Sequence, residues 1–300
     1  MNYYDKITEI FCALDVFTLE FEQQIRKQVI TAGKRKRNRP SKLSDSEIMT
    51  ILIYFHLGGF RNFKHFYCHY VCKHLQHDFP DLVSYNRFVE LKAKVAVPLV
   101  LFLQNRCLAD CTGISFIDST SVKVCKNKRI KRNKVFKNIA KVGKNTMGWF
   151  FGFKLHLIIN DKGEVLNFAL TKANVDDRNQ LLINNMSKNI FGKLFADKGY
   201  ISHELFEILF NRGIHLFTHI RRNMKNSLMT LEDKILLRKR SVIETVNDEL
   251  KNICQIEHSR HRSVHNFLMN ILGAITAYCF LPKKPAIKVD WENTNQIALF

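Results

Sequence analysis

The sequence predicts an α/β fold, a mixed sheet flanked by helices, preceded by an all-helical N-terminal region. Two observations predict it. Residues 1–110 carry apolar side chains mostly at three- and four-residue intervals, which is typical of amphipathic helices. At about residue 111 the period changes to alternation, and strand-like segments then alternate with helix-like ones. We therefore expect a helical region over 1–110, an α/β domain over 111–282 and a C-terminal tail over 283–300.

Composition limits the class of protein. With 300 residues, 46% of them hydrophobic, the chain can bury a sizeable core. Its formal net charge of +20 predicts a polyanionic partner, either nucleic acid or an anionic membrane surface. The membrane is the weaker alternative, because the first residues lack signal-peptide features and the nearly uncharged run 267–281 is shorter than the roughly 18 residues needed to span. Eight cysteines without regular spacing indicate reduced thiols and a cytoplasmic protein.

The helical region has recognisable start and stop signals. An amphipathic pattern covers residues 4–29, and further helical patterns cover 61–77 and 83–106. Ser44 and Glu47 have the spacing of a capping box that opens an apolar helix, which Gly58 and Gly59 end. The basic run 34–39 is a candidate DNA contact or, alternatively, a solvated linker.

The strongest electrostatic feature follows the first strand, which we predict over residues 114–124. Residues 123–144 include ten cations and no acidic residue. Such a run gains free energy when it displaces counterions from a phosphate backbone, so it predicts DNA binding that carries no sequence information. The cations that we assign to DNA binding here are Lys126, Lys128, Arg129, Lys131, Arg132 and Lys134.

The remaining pattern alternates between strands and helices. Residues 148–172 predict a β-hairpin, with His156 interpreted as a hydrogen-bonded sheet histidine. Asp176 and Asp177 precede a helical pattern, and we interpret them as its N-cap rather than as an acid–base pair. A short strand ending at Asp197, a helix over 202–212 and a strand over 214–220 complete the pattern.

Three carboxylates are candidates for chemistry. Asp118 lies in the middle of the apolar strand, where a buried carboxylate costs several kcal/mol unless a partner or metal offsets its charge; a strand end or turn is the alternative. Asp197 lies at a strand end, where sheet enzymes place their chemistry. Glu244 lies on a helix predicted over 238–256, at the edge of an apolar face made by Val242, Ile243, Val246, Leu250 and Ile253.

The spacing of these residues resembles the Asp-Asp-Glu triad of insertion-sequence transposases. Asp118 lies in a strand, Asp197 in Ala-Asp-Lys-Gly-Tyr, and Glu244 in the pattern Arg240-x-x-x-Glu244-x-x-x-x-x-x-Lys251. Where that class often has a tyrosine three residues before the arginine, this chain has leucine. Residues 60–66, 84–88 and 257–263 resemble the insertion-sequence 982 family, and the resemblance extends over residues 5–282.

The resemblance implies a ribonuclease-H-like catalytic domain and a metal-dependent DNA transposase that cleaves and joins strands. Asp118, Asp197 and Glu244 would be its catalytic residues and would hold two Mg²⁺ or Mn²⁺ ions, with Asp118 shared between them. Two alternatives remain: a DNA-binding protein without catalysis, such as a decayed copy, and a metal-dependent nuclease that does not join strands.

The resemblance also implies partners. Arg240 and Lys251 are expected to bind phosphates near the site, and Arg260 and Arg262 to line the DNA surface. The expected DNA is double-stranded and comprises the terminal inverted repeats of the element and its target, bound by a homodimer. No membrane is expected, and the location would be the DNA of the nucleoid.

Overall fold

The computed structural model describes residues 3–31, 41–220, 229–257 and 261–287. The α-helices are α1 (Tyr3–Thr31), α2 (Asp45–Leu57), α3 (Phe63–His65), α4 (Cys72–His74), α5 (Tyr85–Leu91), α6 (Ala96–Phe102), α7 (Gln180–Met186), α8 (His203–Phe210), α9 (Leu231–Lys239), α10 (Ser241–Asn252) and α11 (Val264–Cys279). The strands are β1 (Ile114–Cys125), β2 (Lys141–Asn145), β3 (Gly148–Asn160), β4 (Val165–Lys172), β5 (Gly192–Ala196) and β6 (Ile214–Thr218).

The strands form one mixed sheet in the order β2-β3-β1-β5-β6, with β4 also paired to β3. β1 runs antiparallel to β3 and parallel to β5, and β5 runs parallel to β6. β1 is therefore a central strand with neighbours on both sides. The predicted α/β class with a mixed sheet flanked by helices is confirmed, as is the β3–β4 hairpin.

Alternate residues of the central strands point to opposite faces of the sheet. One face, which carries Phe116, Leu155 and Leu157, packs in a core shared with α10, α11 and the N-terminal helices. The other face, which carries Ile117 and Ile158, packs against α7 and α8. Helices on both faces bury Ser115, Phe116 and Ile117 of β1, whereas the middle of the strand, residues 118–121, is only partly buried.

The N-terminal helices follow the predicted signals in part. The Ser44–Glu47 capping box is present and Gly58 ends α2. The helices expected over 61–77 and 83–106 are each interrupted: a π-helical segment, Phe66–Val71, separates α3 from α4, and α5 ends before α6 begins. The second break has a local cause, because a proline is tolerated only in the first turn of an α-helix and Pro98 takes that place in α6. The basic run 34–39 lies outside the described residues.

Two local expectations are wrong. Asp176 and Asp177 do not cap a helix, because α7 starts later and Asn179 accepts the capping hydrogen bond from the Leu182 backbone. Ile253, expected on the apolar face of the helix, is 43% exposed because α10 already ends at Asn252. The helix expected over 238–256 also begins differently, since Arg240 separates α9 from α10.

The hairpin formed by β2 and β3 curls over the sheet. In a flat sheet the register would place Asn145, paired with Gly148, beyond the end of β1, because Cys125 is paired with Phe151. Asn145 Nδ2 instead donates to Ser121 Oγ at 3.2 Å. The tip of the hairpin is therefore folded back toward the middle of β1.

Within the four described stretches, no helix is long and apolar enough to cross a membrane. The nearly uncharged run 267–281 corresponds to most of α11, whose Ile271, Ala274 and Tyr278 are buried.

A pair of glycine substitutions tests how the β3–β4 turn is packed. Gly163 and Gly213 both have positive φ, 72° and 76°. A Cβ at Gly163 would overlap the carbonyl oxygen of Pro285, whereas one at Gly213 meets nothing. We expect Gly213→Ala to cost about 1–2 kcal/mol of unfolding free energy from backbone strain alone, and Gly163→Ala to cost roughly 1–3 kcal/mol more, measured by denaturant unfolding. Equal costs would show that Pro285 does not constrain the turn.

Candidate active site

Asp118 lies at the centre of the site. It occupies the middle of β1, paired with Leu157 of β3, and its Oδ2 accepts a hydrogen bond from Asn247 Nδ2 of α10 at 3.1 Å. The pKa of Asp118 is raised to about 6, mainly by burial and in part by the negative charges of Glu244 and Asp197. The Ser119 backbone and Arg240 oppose this shift. An acidic side chain thus lies inside the sheet, within the field of both other predicted carboxylates.

Asp197 is placed beside Asp118 by the strand register. Ile114 pairs with Lys193 and Phe116 with Phe195, so the same offset brings Asp118 level with Asp197, one residue past the end of β5. Neighbouring strands lie about 4.8 Å apart, so the two residues come from adjacent positions of the backbone. Asp197 is exposed, and its position at a strand end agrees with the prediction.

Glu244 reaches the site from the first turn of α10. Its Oε1 accepts from Arg240 Nη2 at 2.8 Å, and the Arg240 side chain is only 14% exposed while that of Glu244 is 58% exposed. The exposed carboxylate is therefore held at the mouth of the site by a nearly buried cation. Asp248, one turn further on, instead accepts from Asn252 Nδ2 at 2.6 Å.

Lys251 also belongs to this region. Burial lowers its pKa, while the negative charges of Glu257 and Asp118 raise it. Glu257 in turn accepts a hydrogen bond from the backbone N–H of Lys123 on β1 at 2.9 Å. The structure thus places Arg240 and Lys251 on either side of Asp118 along the same helix.

Asn247 is a site residue to which sequence reasoning assigned no role. It is buried, and its amide is directed at the Asp118 carboxylate. The only sequence signal is its spacing: it follows Glu244 by three residues, which places both side chains on one side of α10. Nothing in the sequence distinguishes this amide from an ordinary surface asparagine.

A polar cluster lies on the opposite face of β1. Asp177 Oδ1 accepts from Ser119 Oγ at 2.9 Å and from Lys154 Nζ at 3.0 Å. His156 lies 3.9 Å from the same carboxylate oxygen, and its Nε2 is 2.8 Å from Thr171 Oγ1. Burial lowers the pKa of His156 to about 4, so the ring is neutral near pH 7. Asp177, predicted as a cap, instead joins β1 to β3 on the face of β1 opposite Asp118.

Tyr200 lies in the electrostatic field of carboxylates on both faces of the strand. It is 3% exposed, and burial raises the pKa of its hydroxyl well above the usual value, with further contributions from Asp118 and Asp177. The hydroxyl therefore stays protonated. The sequence signal for this polar face is in β3, where Lys154 and His156 alternate with the apolar residues Phe153, Leu155 and Leu157.

The three carboxylates do not converge on a single point. Among the described side chains, no three of His, Cys, Asp and Glu are close enough together to hold one ion. Glu244 is held by its ion pair with Arg240. The arrangement is one half-buried carboxylate, Asp118, with an exposed acidic residue on each of the two neighbouring elements.

The basic residues predicted for DNA binding lie mostly in one segment. Lys126, Lys128, Arg129, Lys131, Arg132 and Lys134 are all exposed in the connection between β1 and β2, part of which is a 3-10 helix, Asn127–Arg132. Buried Phe136 fixes this segment by packing against Phe153 and Phe267. Arg262 is exposed, and Arg260 lies outside the described residues.

Comparisons with known proteins bear on the site as a whole. Residues 108–264 match the family described as "Transposase DDE domain". No curated protein matches. Among solved structures, the fold is similar to the cryo-EM structure of the piggyBac transposase synaptic complex with hairpin DNA, with a TM-score of 0.44 and 10% identity over 91% of this chain and 71% of that one. It is also similar to the crystal structure of the Mos1 strand transfer complex, with a TM-score of 0.24 and 11% identity over 84% and 82%.

Scores this low do not by themselves establish a common fold, so the family match carries the assignment. It spans every carboxylate of the site, and membership implies dependence on a divalent metal ion. Because the match covers more than half of the chain, the protein belongs to the transposase DDE domain family and is a DDE transposase.

Proposed function

We propose that this transposase cleaves DNA at the ends of its own mobile element and joins those ends to target DNA, with Asp118, Asp197 and Glu244 as its catalytic residues. The observation that carries the proposal is the half-buried Asp118 carboxylate, whose pKa is raised to about 6, mainly by burial and in part by Glu244 and Asp197. A negative charge that its surroundings compensate only in part favours cation binding at the centre of the sheet. The flanking motifs further support assignment to the insertion-sequence 982 family.

The residues fit a pair of divalent metal ions. The donor atoms of Asp118, Asp197 and Glu244 are all carboxylate oxygens, which suit Mg²⁺ and Mn²⁺. Such ions would neutralise the excess negative charge around Asp118. Asp118 would be shared, with Asp197 completing one ion and Glu244 the other. When bound, the two ions supply a deprotonated nucleophile and stabilise charge on the leaving oxygen.

The chain's own residues position the reacting groups. Asn247 fixes the Asp118 carboxylate through its amide, which leaves the other oxygen, Oδ1, outside that hydrogen bond. Arg240 holds Glu244 at the mouth of the site. Arg240 and Lys251 flank Asp118 and would bind phosphates on either side of the scissile bond, as their charges and positions along α10 support.

The wider organisation follows from the same function. We assign catalysis to a ribonuclease-H-like domain over 111–282, with 283–300 as a tail, and recognition of the element ends to the helical region 1–110. The exposed cations between β1 and β2, together with Arg260 and Arg262, would track double-stranded DNA of the inverted repeats and target. The active species would be a homodimer on nucleoid DNA.

The reaction is tested with labelled DNA carrying candidate element ends, incubated with Mg²⁺, Mn²⁺ or chelator. We expect metal-dependent nicking and joined products from the wild type. Asp118→Asn, Asp197→Asn and Glu244→Gln should each lower both by more than about 100-fold, since even outer-shell partners of metal ligands contribute 10–100-fold. Asp248→Asn, which neutralises a neighbouring exposed carboxylate on the same helix, is the matched control and should retain activity.

The outcomes separate the alternatives. Nicking without joined products would indicate a nuclease, and DNA binding without metal-dependent cleavage by the wild type would indicate a decayed copy. If Asp248→Asn inactivated the enzyme while Glu244→Gln did not, the third carboxylate would be assigned to the wrong residue.

The stability of the protein should depend on the charge of Asp118. Folding raises its pKa from 3.8 to about 6, so ionisation lowers the free energy of unfolding progressively between these pH values, and the reduction persists at higher pH. We expect Asp118→Asn, which still accepts from Asn247, to stabilise chelator-treated protein at pH 8 by on the order of 2–3 kcal/mol and to have no effect below about pH 4. Added Mg²⁺ should raise the melting temperature of the wild type only. Equal melting temperatures of the wild type and Asp118→Asn in chelator at pH 8 would contradict the conclusion that the ionised Asp118 destabilises the fold.

The basic segment should determine the salt dependence of DNA binding. We expect combined Lys128→Gln, Arg129→Gln and Lys131→Gln to flatten the plot of log affinity against log salt concentration by about 0.9 for each phosphate that the variant no longer neutralises. The same charge change at Lys73, Lys188 and Lys234, which are exposed outside the segment, is the control. An unchanged slope in the first variant, or an equal change in both, would place the DNA elsewhere.

A further inference from the structure

The tip of the β2–β3 hairpin exposes large apolar side chains beside the active strand. Met147 is 87% exposed and Trp149 is 62% exposed. Nothing in the fold requires this exposure, because the buried residues of β3, such as Phe150 and Phe151, already anchor the hairpin. A tryptophan in water is normally explained by a partner that covers it.

The tip is held rigidly. Its turn is fixed by a hydrogen bond from the Met147 backbone N–H to Asn145 Oδ1 at 3.0 Å. The Trp149 backbone carbonyl accepts from Asn127 Nδ2 at 2.8 Å, which ties the tryptophan to the basic segment after β1. Trp149 therefore presents its ring from a fixed backbone, and a partner would not have to order the hairpin first.

The tip also lies against the strand that carries Asp118. Asn145 contacts Ser121, which is three residues beyond Asp118 on that strand. At about 3.3 Å per residue, the two β1 positions are roughly 10 Å apart, a distance that corresponds to a few successive nucleotides. Because successive side chains alternate between the faces of a strand, Ser121 points to the face opposite that of Asp118, and the hairpin contacts β1 from that face.

The charges around the tip select a polyanion. Lys144 is the direct cross-strand neighbour of Trp149, and its Nζ lies 5.7 Å from the centre of the indole ring. Lys141, Lys126 and Lys128 are exposed nearby in sequence on β2 and the basic segment. Aromatic rings among lysines are the arrangement with which proteins stack unpaired nucleobases while the cations follow the backbone. A neutral protein surface or an uncharged lipid would not require the cations.

We propose that Trp149, supported by Met147, is a stacking platform for an unpaired nucleobase of DNA held by the lysines around the hairpin tip. The proposal rests on the proposed function, since it places the base next to DNA bound for cleavage. Trp149 does not touch the reacting atoms; it positions the strand by covering a base that has left the duplex. Fully paired DNA has its bases stacked on one another and offers the ring no exposed face.

The test compares two DNA probes of one sequence, a blunt duplex and the same duplex with a short single-stranded end, bound to full-length protein in chelator. We expect the wild type to prefer the probe with unpaired bases. Trp149→Ala should weaken binding of that probe about ten-fold and change binding of the blunt duplex by less than about two-fold. Trp149→Phe should retain most of the preference, and Met147→Ala should weaken binding by a smaller factor.

A spectroscopic readout makes the contact direct. The sequence has two tryptophans, so Trp291→Phe leaves Trp149 as the only one. Stacking should quench its fluorescence with the single-stranded end and leave it nearly unchanged with the blunt duplex. Leu181→Ala removes a comparably exposed apolar side chain from α7 and is the control that should alter neither measurement.

The outcomes are distinct. Equal weakening for both probes, or no weakening and no quenching, would overturn the stacking role while leaving the transposase function intact. The binding and fluorescence measurements need no metal and are independent of cleavage. A protein that binds the probe and shows quenching, but fails to cleave DNA in the separate assay with Mg²⁺ or Mn²⁺, would support the platform and count against the proposed reaction. Absence of binding to either probe would overturn both.

Discussion

The structure depends on keeping a partly buried carboxylate in a hydrophobic sheet. β1 has neighbouring strands on both edges and helices on both faces, but its pairing with β5 ends at Phe116, and Asp118 beyond it keeps part of its surface exposed. Moving a charge from water into such surroundings is unfavourable, and the raised pKa of Asp118 expresses this cost. The surroundings offset it only partly, through the Asn247 amide, the Ser119 backbone and the nearby Arg240 guanidinium.

Other features follow from this constraint. α10 lies against β1 and brings Asn247, Glu244 and Arg240 to one carboxylate, while the parallel register of β5 brings Asp197 level with it. The face behind β1 is also polar at this level, where Asp177 joins Ser119 to Lys154. Because the supporting contacts come from residues far apart in the chain, the site is assembled only when the sheet and both helical layers are in place.

The sequence allowed the strand of Asp118, the strand end before Asp197 and the capping box of α2 to be predicted, because each has a local signal: alternation, a short apolar run and a capping pair. It did not reveal Asn247 or the role of Asp177. Their partners, Asp118 and Ser119, lie 129 and 58 residues away in the chain, and an asparagine or aspartate near a helix has the same local pattern whether or not it is tied to a distant strand.

The breaks in the N-terminal helices show the same limit in another form. Pro98 signals a new helix start, whereas the π-helical segment Phe66–Val71 has no breaking residue. Its buried Phe66 and Tyr67 pack among aromatic side chains from α2 and α5, including Phe55 and Phe88. The change of pitch therefore coincides with packing between helices. The periodicity of a single helix does not describe such packing.

The packing of α11 against α2 also has a consequence for biosynthesis. α2 is buried almost all round, and Gly273 of α11 allows close approach to its His56 ring. About 200 residues separate the two helices, so at 5–20 residues per second the ribosome needs on the order of 10–40 s to supply the missing partner. Throughout that interval α1 can cover one face of α2, but the face that α11 covers stays exposed on the nascent chain. The N-terminal core is therefore closed only when the C-terminal part of the chain has been made, and a message truncated before α11 yields a chain with all three carboxylates but an unfinished core.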